Sequence, residues 1–359
     1  MTEHTATDPY RLFVGVDIAA KTASVAWLTP TEQSPRSWTI KQTPAGRAEL
    51  HERLMALEPN PAQVRVVMEV TGAYWMDLAL FLFEAGYAVS AINPAQAHHF
   101  AQALLQRAKT DNLDALTLAQ LAMKLEPRLW TPAPPVREEL YQRLMQRDYL
   151  LQTRKRMKNR LHALDHRPAS IDPVRQRLEG LTDLLTHQIA DIDGEMAQVL
   201  RQDVQWAATA AHLQTIQGIG LVTAVWLITA TRNFTLCETA QQLVSFVGLA
   251  PYTRQSGTSL DSYRHVGHGG HTRLRQVLYM AALSAARFNP VIRAYYQHLI
   301  ERGKNGKVAT VAAARKLACI AWAVATKGED FNPAYTARLP QATDTERKDE
   351  TDHDSTNGI

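Results

Sequence analysis

Four carboxylates in the first third of the chain lie where an acid needs a partner. Asp17 lies inside the apolar run VGVDIA, and Glu69 ends the apolar run VVME. Asp111 and Asp114 are three residues apart in KTDNLDALTLA, so they share one face of a helix. A carboxylate is costly to bury unless it is paired or holds a metal ion. Carboxylate oxygens suit Mg²⁺ or Mn²⁺, which can clamp the attacking and leaving oxygens of a phosphodiester.

Each acid also has a simpler interpretation. Asp17 can be an edge-strand acid, Glu69 can cap the helix that follows it, and Asp111 can be a helix N-cap. For Asp111 alone the N-cap interpretation is the better one. The order of all four acids along the predicted elements favours the metal site.

The elements that position these acids follow an α/β pattern. Three short strands are predicted over residues 12–43, and a helix follows from Ala45 to Leu57. A buried strand that ends at Glu69, a helix that stops at Gly86, a further strand and helical sequence to about Leu125 complete the unit. This order matches a ribonuclease-H-like (RuvC-like) fold, in which carboxylates converge on divalent ions. We therefore predict a RuvC-like catalytic domain over residues 12–130.

The rest of the chain is predicted to be helical. Residues 131–205 are predicted to hold a Pro-rich linker and a basic helical hairpin or coiled coil. Residues 206–328 are predicted to form a helical domain that is broken by a Gly-, Ser- and His-rich loop at 252–272. The hairpin rests on apolar residues at steps of three and four: Leu178, Leu181, Leu185, Ile189, Ile192, Met196 and Val199.

Composition excludes several classes of protein. The 359 residues leave room for two or three domains, and 45% hydrophobic with 21% charged residues excludes collagen-like and wholly disordered chains. Cys237 and Cys319 cannot build a disulfide framework. The polar N-terminus lacks a signal peptide, and apolar stretches such as Leu221–Ala230 are too short to span a membrane. We expect a soluble, cytoplasmic protein without a membrane partner.

Charge is distributed unevenly along the chain. Residues 137–167 carry nine Arg or Lys against four Asp or Glu, and residues 287–316 carry seven against one. Such clusters indicate either a polyanionic partner or solvated helix faces. The last nineteen residues carry six acidic and two basic side chains, so residues 329–359 are predicted to be a disordered tail, as are residues 1–11.

The chain resembles the DEDD transposases of insertion sequence family one hundred and ten, which are RuvC-like recombinases related to Piv-type DNA invertases. In the first half, the resemblance lies in FVGVDIAAKTASVAWL, MEVTGAYWMDLALFLFEAGYAVSAINPAQAHHFA and AKTDNLDALTLAQLA. In the second half, it lies in LQTIQGIGLVTAVWLI, FTLCETAQQLVSFVGLAPYTRQSGTS and TRLRQVLYMAALSAARFNPVIRAYYQHLIERGK, ending in VAAARKLACIAW. It covers about residues 12–327, and it implies that Asp17, Glu69, Asp111 and Asp114 form an acidic Mg²⁺ site.

The resemblance also implies a nucleophile outside the acidic site. The family carries a serine in a Ser-Gly pair, which here is Ser256 beside Gly257, after Arg254. Without the resemblance, Ser256 is better read as a turn residue, and Ser259 and Ser262 remain alternatives. As the family's nucleophile, Ser256 is expected to attack a DNA phosphodiester and form a phosphoserine link.

Several residues are candidates for contact with nucleic-acid phosphates. A dense basic run lies on the predicted hairpin, and it is either a backbone track or a solvated face: Arg154, Lys155, Arg156, Lys158 and Arg160. Gly218 and Gly220 resemble the turn of a helix-hairpin-helix element, for which a helix-packing turn is the alternative. Arg273 and Arg275 fit phosphate binding at the start of a helix.

The histidines of the Gly-rich loop are the least settled group. His265, His268 and His271 recur every three residues, and phosphate contact is favoured over a metal cluster because no Cys or Asp partners accompany them. His268 stands where relatives usually have lysine, and a histidine titrates near pH ~6.5. This difference leaves the loop's role open.

The sequence therefore predicts a transposase that moves its own insertion sequence by cutting and exchanging DNA strands. The expected partners are the element ends, the target DNA, a structured non-coding guide RNA, which the resemblance implies, and further copies of the chain in a homodimer or larger oligomer. The expected setting is a bacterial or archaeal cytoplasm, with association to the nucleoid during action. The alternatives are a junction-resolving endonuclease that uses metal-activated water, and a non-catalytic nucleic-acid-binding protein.

Overall fold

The computed structural model describes residues 9–31, 36–70, 72–105, 110–167, 171–252, 265–266 and 269–334. The chain forms two compact units, Met1–Pro132 and Ala133–Ile359. The first unit is α/β and the second is mainly helical, as the sequence predicts. The division of the chain into a linker, a hairpin, a third domain and two disordered ends stays a prediction.

The first unit contains a five-stranded mixed sheet. Its elements are β1 (Leu12–Ile18), β2 (Thr22–Leu28), β3 (Arg36–Lys41), α1 (Pro44–Leu57), β4 (Val64–Glu69), α2 (Met76–Glu84), β5 (Ala88–Ile92), α3 (Pro94–Ala103) and α4 (Asp111–Leu125), with a short 3₁₀ turn at Pro61–Gln63 before β4. The strand order is β3-β2-β1-β4-β5. β2 pairs antiparallel with β1 and β3, whereas β4 pairs parallel with β1 and β5. The helical sequence after β5 forms two helices, α3 and α4.

Helices cover both faces of this sheet. Leu12, Val14 and Val16 of β1 lie in one apolar cluster with residues of α1 and α2. Phe13 lies in a second cluster with residues of α3 and α4. Because side chains alternate along a strand, Asp17 belongs to the face of the sheet that α3 and α4 cover.

The second unit is built from eight helices and a short β-ribbon within the described residues. The helices are α5 (Pro135–Asp165), α6 (Asp172–Arg201), α7 (Val204–Gln214), α8 (Leu221–Thr231), α9 (Ala240–Val247), α10 (Thr272–Phe288), α11 (Pro290–Glu301) and α12 (Gly306–Lys327). The ribbon joins β6 (Pro251–Tyr252) to β7 (His265–Val266). Of the described helices, α12 is long and apolar enough to cross a membrane, and half of its apolar window is buried within the unit, as in a core helix.

The two longest helices form an antiparallel pair. Arg143 bonds to Glu195 and Arg147 to Asp193, while near the end of α5 Asp165 pairs with Arg175. Residues later in α5 therefore meet residues earlier in α6, which is the antiparallel arrangement. The predicted stripe holds for five buried residues of α6, namely Leu178, Ile189, Ile192, Met196 and Val199. Leu181 is exposed instead, and Thr182 is buried in its place. A coiled coil stays a prediction.

The segment after α12 makes tertiary contacts as far as the structure describes it. The Phe331 amide donates to Thr215 Oγ1 at 2.8 Å, and the side chains of His212 and Asp330 meet at 2.7 Å. These contacts attach residues 330 and 331 to the end of α7. The acidic stretch 341–359 lies outside the described residues.

Candidate active site

Asp17 and Glu69 occupy neighbouring positions at one edge of the sheet. β1 and β4 are parallel, and their register runs from Leu12 opposite Val64 to Val16 opposite Met68. Asp17 and Glu69 are the next residue on each strand. The carboxyl ends of adjacent parallel strands form the edge at which ligands of α/β proteins usually bind.

The other two acids lie in the first turn of α4. Thr110 caps this helix, because its Oγ1 accepts a hydrogen bond from the Leu113 amide at 3.3 Å. Asp111 and Asp114 are therefore first-turn residues, and the N-cap interpretation of Asp111 is wrong. The partial positive charge of a helix N-terminus favours carboxylates in this turn.

Gly15 brings α4 close to β1. A methyl group at Gly15 would overlap the carbonyl oxygen of Ala115 and the amide nitrogen of Ala119, both in the backbone of α4. The missing side chain thus lets the helix that carries Asp114 pack directly on the strand that carries Asp17. Sequence analysis did not single out Gly15, although an isolated glycine inside a strand is a signal of close backbone approach.

The four carboxylates interact electrostatically. The pKa of Asp17 rises to about 6, chiefly because the carboxyl is partly buried and further because of the negative charges of Asp114, Asp111 and Glu69, while a hydrogen bond from the Ile18 backbone N–H lowers it. Asp17 therefore lies within electrostatic reach of the other three acids, and their role as a metal site stays a prediction. Within the described part of the chain, no three His, Cys, Asp or Glu side chains are close enough to hold one ion as they stand. Like charges oppose closer approach, and a cluster of hard oxygen donors fits a divalent cation that would offset this repulsion.

Gln42 ties two loops together at the same edge. Its Nε2 donates to the carbonyl oxygens of Ala19 at 3.3 Å and Tyr74 at 3.2 Å. Ala19 follows Asp17 by two residues, and Tyr74 follows Glu69 by five. One amide therefore fixes the loop after β1 against the loop after β4, a contact that no local sequence signal predicts.

The predicted serine nucleophile lies outside the described residues, as do Arg254, Gly257, His268, Ser259 and Ser262. The structure describes only the base of their loop. There, Pro251 pairs with Val266 and Tyr252 with His265. Residues 253–264, which include Ser256, connect these two strands in sequence.

Arg273 and Arg275 both contact protein groups. Arg275 Nη1 donates to the Gly269 carbonyl oxygen at 2.7 Å. Arg273 pairs with the buried carboxylate of Asp148 and lies over the Trp226 ring, 5.7 Å from its centroid. Both arginines therefore support the packing around the start of α10, and phosphate binding by either one stays a prediction.

His271 is the N-cap of α10. Its Nδ1 accepts a hydrogen bond from the Leu274 amide at 3.1 Å, and its ring contacts Trp226 and Phe246. Burial lowers the pKa of His271, and the charge of Arg137 lowers it further. A neutral ring with Nδ1 committed to the helix cap accounts for this histidine without a ligand.

The two glycines of the predicted phosphate turn differ in their surroundings. Gly218 has φ +106°, and a side chain there would press on Ala281 and Ala285 of α10. The packing alternative therefore accounts for Gly218. Gly220 is the N-cap of α8, and no described atom lies within 4 Å of the position that a Cβ would take. Phosphate contact at Gly220 stays a prediction.

The basic run on α5 faces solvent for most of its length. Lys155, Arg156, Lys158 and Arg160 are exposed, and among the described residues none of them forms an ion pair. Arg154 is half-buried and donates to Thr186 Oγ1 of α6 at 3.2 Å. Four exposed cations on one helix, without ion pairs among the described residues, are available to bind a polyanion.

Two family models match the chain in sequence order. Residues 14–164 match the DEDD transposase model named for IS110, and residues 210–297 match the model described as "Transposase IS116/IS110/IS902 family". The first match contains all four acids, and the second contains the serine loop.

Individual relatives agree with the family models. The chain is 29% identical to the pilin gene-inverting proteins of Moraxella lacunata and Moraxella bovis, over 90% of its own length and 98% of theirs. It is 25% identical to the transposase for insertion sequence element IS1328 of Yersinia enterocolitica, over 74% of its length and 85% of the relative's.

Proposed function

The chain belongs to the transposase family of IS116, IS110 and IS902, and from this membership we propose that it is the recombinase that moves its own insertion sequence. It is an enzyme that acts on DNA. Its similarity to pilin gene-inverting proteins over nearly the full length supports a reaction in which DNA segments are cut and rejoined. The observation that carries the proposal is the electrostatic coupling of Asp17 to Glu69, Asp111 and Asp114 at the β1–β4 edge.

The first unit is proposed to be a ribonuclease-H-like domain. The sheet order β3-β2-β1-β4-β5, with only β2 antiparallel to its neighbours, and the packing of α4 on β1 support this assignment. Asp17, Glu69, Asp111 and Asp114 would hold Mg²⁺, with Mn²⁺ as the alternative. A divalent ion bound there would supply stabilisation of the negative charge that develops on phosphodiester oxygens.

The residues of the chain have separable parts in the proposed reaction. The four carboxylates would hold the ion, which would supply positive charge beside the scissile phosphate. Ser256 Oγ attacks the phosphorus, and the Oγ–P bond forms as the P–O3′ bond breaks. The serine hydroxyl loses one proton and the departing 3′-oxygen gains one, so the step is balanced and conserves the phosphodiester energy for strand exchange.

Nucleic-acid contact is proposed for the basic run of α5. The exposed Lys155, Arg156, Lys158 and Arg160 would meet backbone phosphates, which gives affinity without base readout. The family resemblance is the support for a structured guide RNA and for a homodimer or larger oligomer.

A covalent-trapping experiment tests the proposal. The protein is incubated with element-end DNA, a candidate guide RNA and Mg²⁺, then denatured. A protein–DNA adduct is expected in the wild type and absent in Ser256→Ala, with the phosphate on the peptide that contains Thr253–Leu260. Ser259→Ala and Ser262→Ala are the matched controls and should form the adduct at the wild-type level.

The outcomes separate the candidate activities. An adduct that survives in Ser256→Ala, or maps to Ser259 or Ser262, contradicts the assignment of the nucleophile. DNA cleavage without any adduct indicates a hydrolytic, junction-resolving nuclease that uses the same carboxylates. Activity that persists in Asp17→Asn contradicts the acidic site itself.

A further inference from the structure

A basic surface on the last two helices of the second unit has no part in the proposed function. Residues 287–316 carry seven Arg or Lys and a single acid, Glu301. Six of these cations are exposed, and none forms an ion pair within the described part of the chain: Arg287, Arg293, Arg302, Lys304, Lys307 and Arg315. By helical spacing, Lys307 lies on the opposite side of α12 from Lys316. A concentration of unpaired positive charge favours a polyanionic ligand.

A groove lies in this surface between α11 and α12. Its volume is about 420 Å³, within the range of small-ligand sites. Its polar lining comes from Tyr295 and His298 of α11 and Lys316 of α12. Its apolar lining comes from Val291, Ala294, Pro333 and Ala334.

Lys316 is the unusual member of this groove. It is partly buried, and its Nζ lies 4.5 Å from the centroid of the Tyr295 ring. No carboxylate pairs with it among the described residues, and burial lowers the pKa of its ammonium group. Burying a cation without an anion costs free energy, and a bound phosphate would recover part of that cost.

We propose that this groove binds one nucleotide of a single-stranded nucleic acid, with the phosphate at Lys316 and the base against Tyr295 and the apolar lining. The proposal rests on the function proposed above only in taking nucleic acid as the partner. A positive groove that combines aromatic and aliphatic contacts is how proteins hold unpaired strands, because bases stack on aromatic rings and the backbone follows the cations.

The dimensions and chemistry of the groove favour a single strand over other polyanions. The groove of about 420 Å³ has the size of a small-ligand site, so it can take one unpaired nucleotide but not a duplex. An acidic peptide would use the cations but would leave the Tyr295 ring and the apolar lining without a stacking partner. Both features together match a nucleotide.

Binding of a fluorescein-labelled fifteen-nucleotide oligothymidylate tests the proposal, using the full chain in EDTA over a series of KCl concentrations. Lys316→Met keeps the aliphatic stem, should raise Kd about fivefold to tenfold, and should lower the log–log salt slope by ~0.7, one phosphate contact. Tyr295→Leu should raise Kd about tenfold without changing the slope, whereas Tyr295→Phe should bind as the wild type does. Lys307→Met is the matched charge control, since residue 307 lies on the opposite side of α12 from residue 316.

A photocrosslink identifies the contact directly. An oligothymidylate that carries 5-iododeoxyuridine should crosslink to the peptide containing Tyr295, and unlabelled oligothymidylate should suppress the crosslink. This measurement, with the Tyr295→Leu and Tyr295→Phe pair, carries the test if Lys316→Met fails to fold.

Three results would overturn the proposal: equal losses in Lys316→Met and Lys307→Met, wild-type binding by Tyr295→Leu, or suppression of the crosslink by a polyglutamate peptide at the same concentration. Binding in EDTA needs no catalysis. The groove result is therefore measured apart from the adduct, so a failed adduct experiment with an intact groove result separates the two proposals.

Discussion

Each unit of the chain contains a carboxylate that is shielded from water, and the charges around these two carboxylates have opposite signs. In the first unit, Asp17 is partly buried among three other carboxylates, and its pKa rises to about 6. In the second unit, Asp148 is only 6% exposed, but it pairs with Arg273 of a helix 125 residues further along the chain. One acid is crowded by charge of its own sign, and the other is neutralised within the fold.

This difference distinguishes a group of acids that can bind a ligand from an ion pair that only stabilises the fold. A buried ion pair needs nothing from outside, because each charge satisfies the other. A group of carboxylates without a cation is a cost to the folded state that a ligand can remove, and perturbed acids of this kind mark functional sites. The same reasoning distinguishes the paired arginines at the base of the α5–α6 hairpin from the unpaired cations further along α5.

The largest expected effect on stability is at Gly15, which holds the acidic helix against its strand. Gly15→Ala would place a methyl group into the backbone of α4, which cannot rotate away, so we expect a loss of about 3 kcal/mol or more in the free energy of unfolding. Urea denaturation measures it. Gly180→Ala is the matched control, because Gly180 lies within α6 with no described atom nearby, and should be neutral or stabilising. Equal behaviour of the two variants would show that α4 does not need the close approach.

Breaking the ion pair of the second unit should come next. Asp148→Asn leaves Arg273 without its carboxylate, and since the Arg273 side chain is 38% exposed, we discount the cost to about 2–3 kcal/mol of unfolding free energy. The double variant Asp148→Leu with Arg273→Met should recover most of this loss. If the single variant is as stable as the wild type, Asp148 is not a structural charge.

Neutralising Asp17 of the first unit should stabilise the protein, whereas the two changes above destabilise it. The folded state raises the pKa of Asp17, so this carboxyl stabilises the fold below about pH 4 and that contribution is lost as the pH rises through about 6. In EDTA at pH 7.5, Asp17→Asn should therefore have a free energy of unfolding about 1–2 kcal/mol higher than that of the wild type, after a discount for partial exposure. At pH 4 the difference should vanish, and a difference that is the same at both pH values would contradict the electrostatic cause.

The unpaired cations of α5 should matter least for folding and most for binding. Changing Lys155, Arg156, Lys158 and Arg160 to Gln should leave the unfolding free energy within about 0.5 kcal/mol, because exposed unpaired charges contribute little. The log–log salt slope for duplex DNA should flatten by up to ~3–4, at ~0.9 for each phosphate contact. Gln at Arg143 and Arg147, which are paired to α6, should leave the slope nearly unchanged. An unchanged slope in the first variant would identify this face as merely solvated.

Local sequence patterns predict the positions of the strands and helices correctly. Strand runs such as VGVDIA, the stop at Gly86 and the end of helical sequence near Leu125 all depend on residues close in sequence, and the elements form where these patterns predict. Sequence analysis failed where a tertiary neighbour decides. Leu181 fits the apolar spacing of α6, yet it is exposed and Thr182 is buried, with the Thr182 hydroxyl bonded to the Leu178 carbonyl oxygen of its own helix.

Residues close in sequence predict most of the elements and single out the four acids as candidates, because apolar periodicity and an acid inside an apolar run are properties of neighbouring residues. Only the tertiary structure decided which groups meet. It placed Asp17 and Glu69 side by side through the parallel β1–β4 register, and it brought in Asp114 through the bare backbone of Gly15. It also assigned Arg273 to Asp148 and His271 to a helix cap. Contacts between residues far apart in the chain depend on backbone packing, and no spacing along the sequence encodes them.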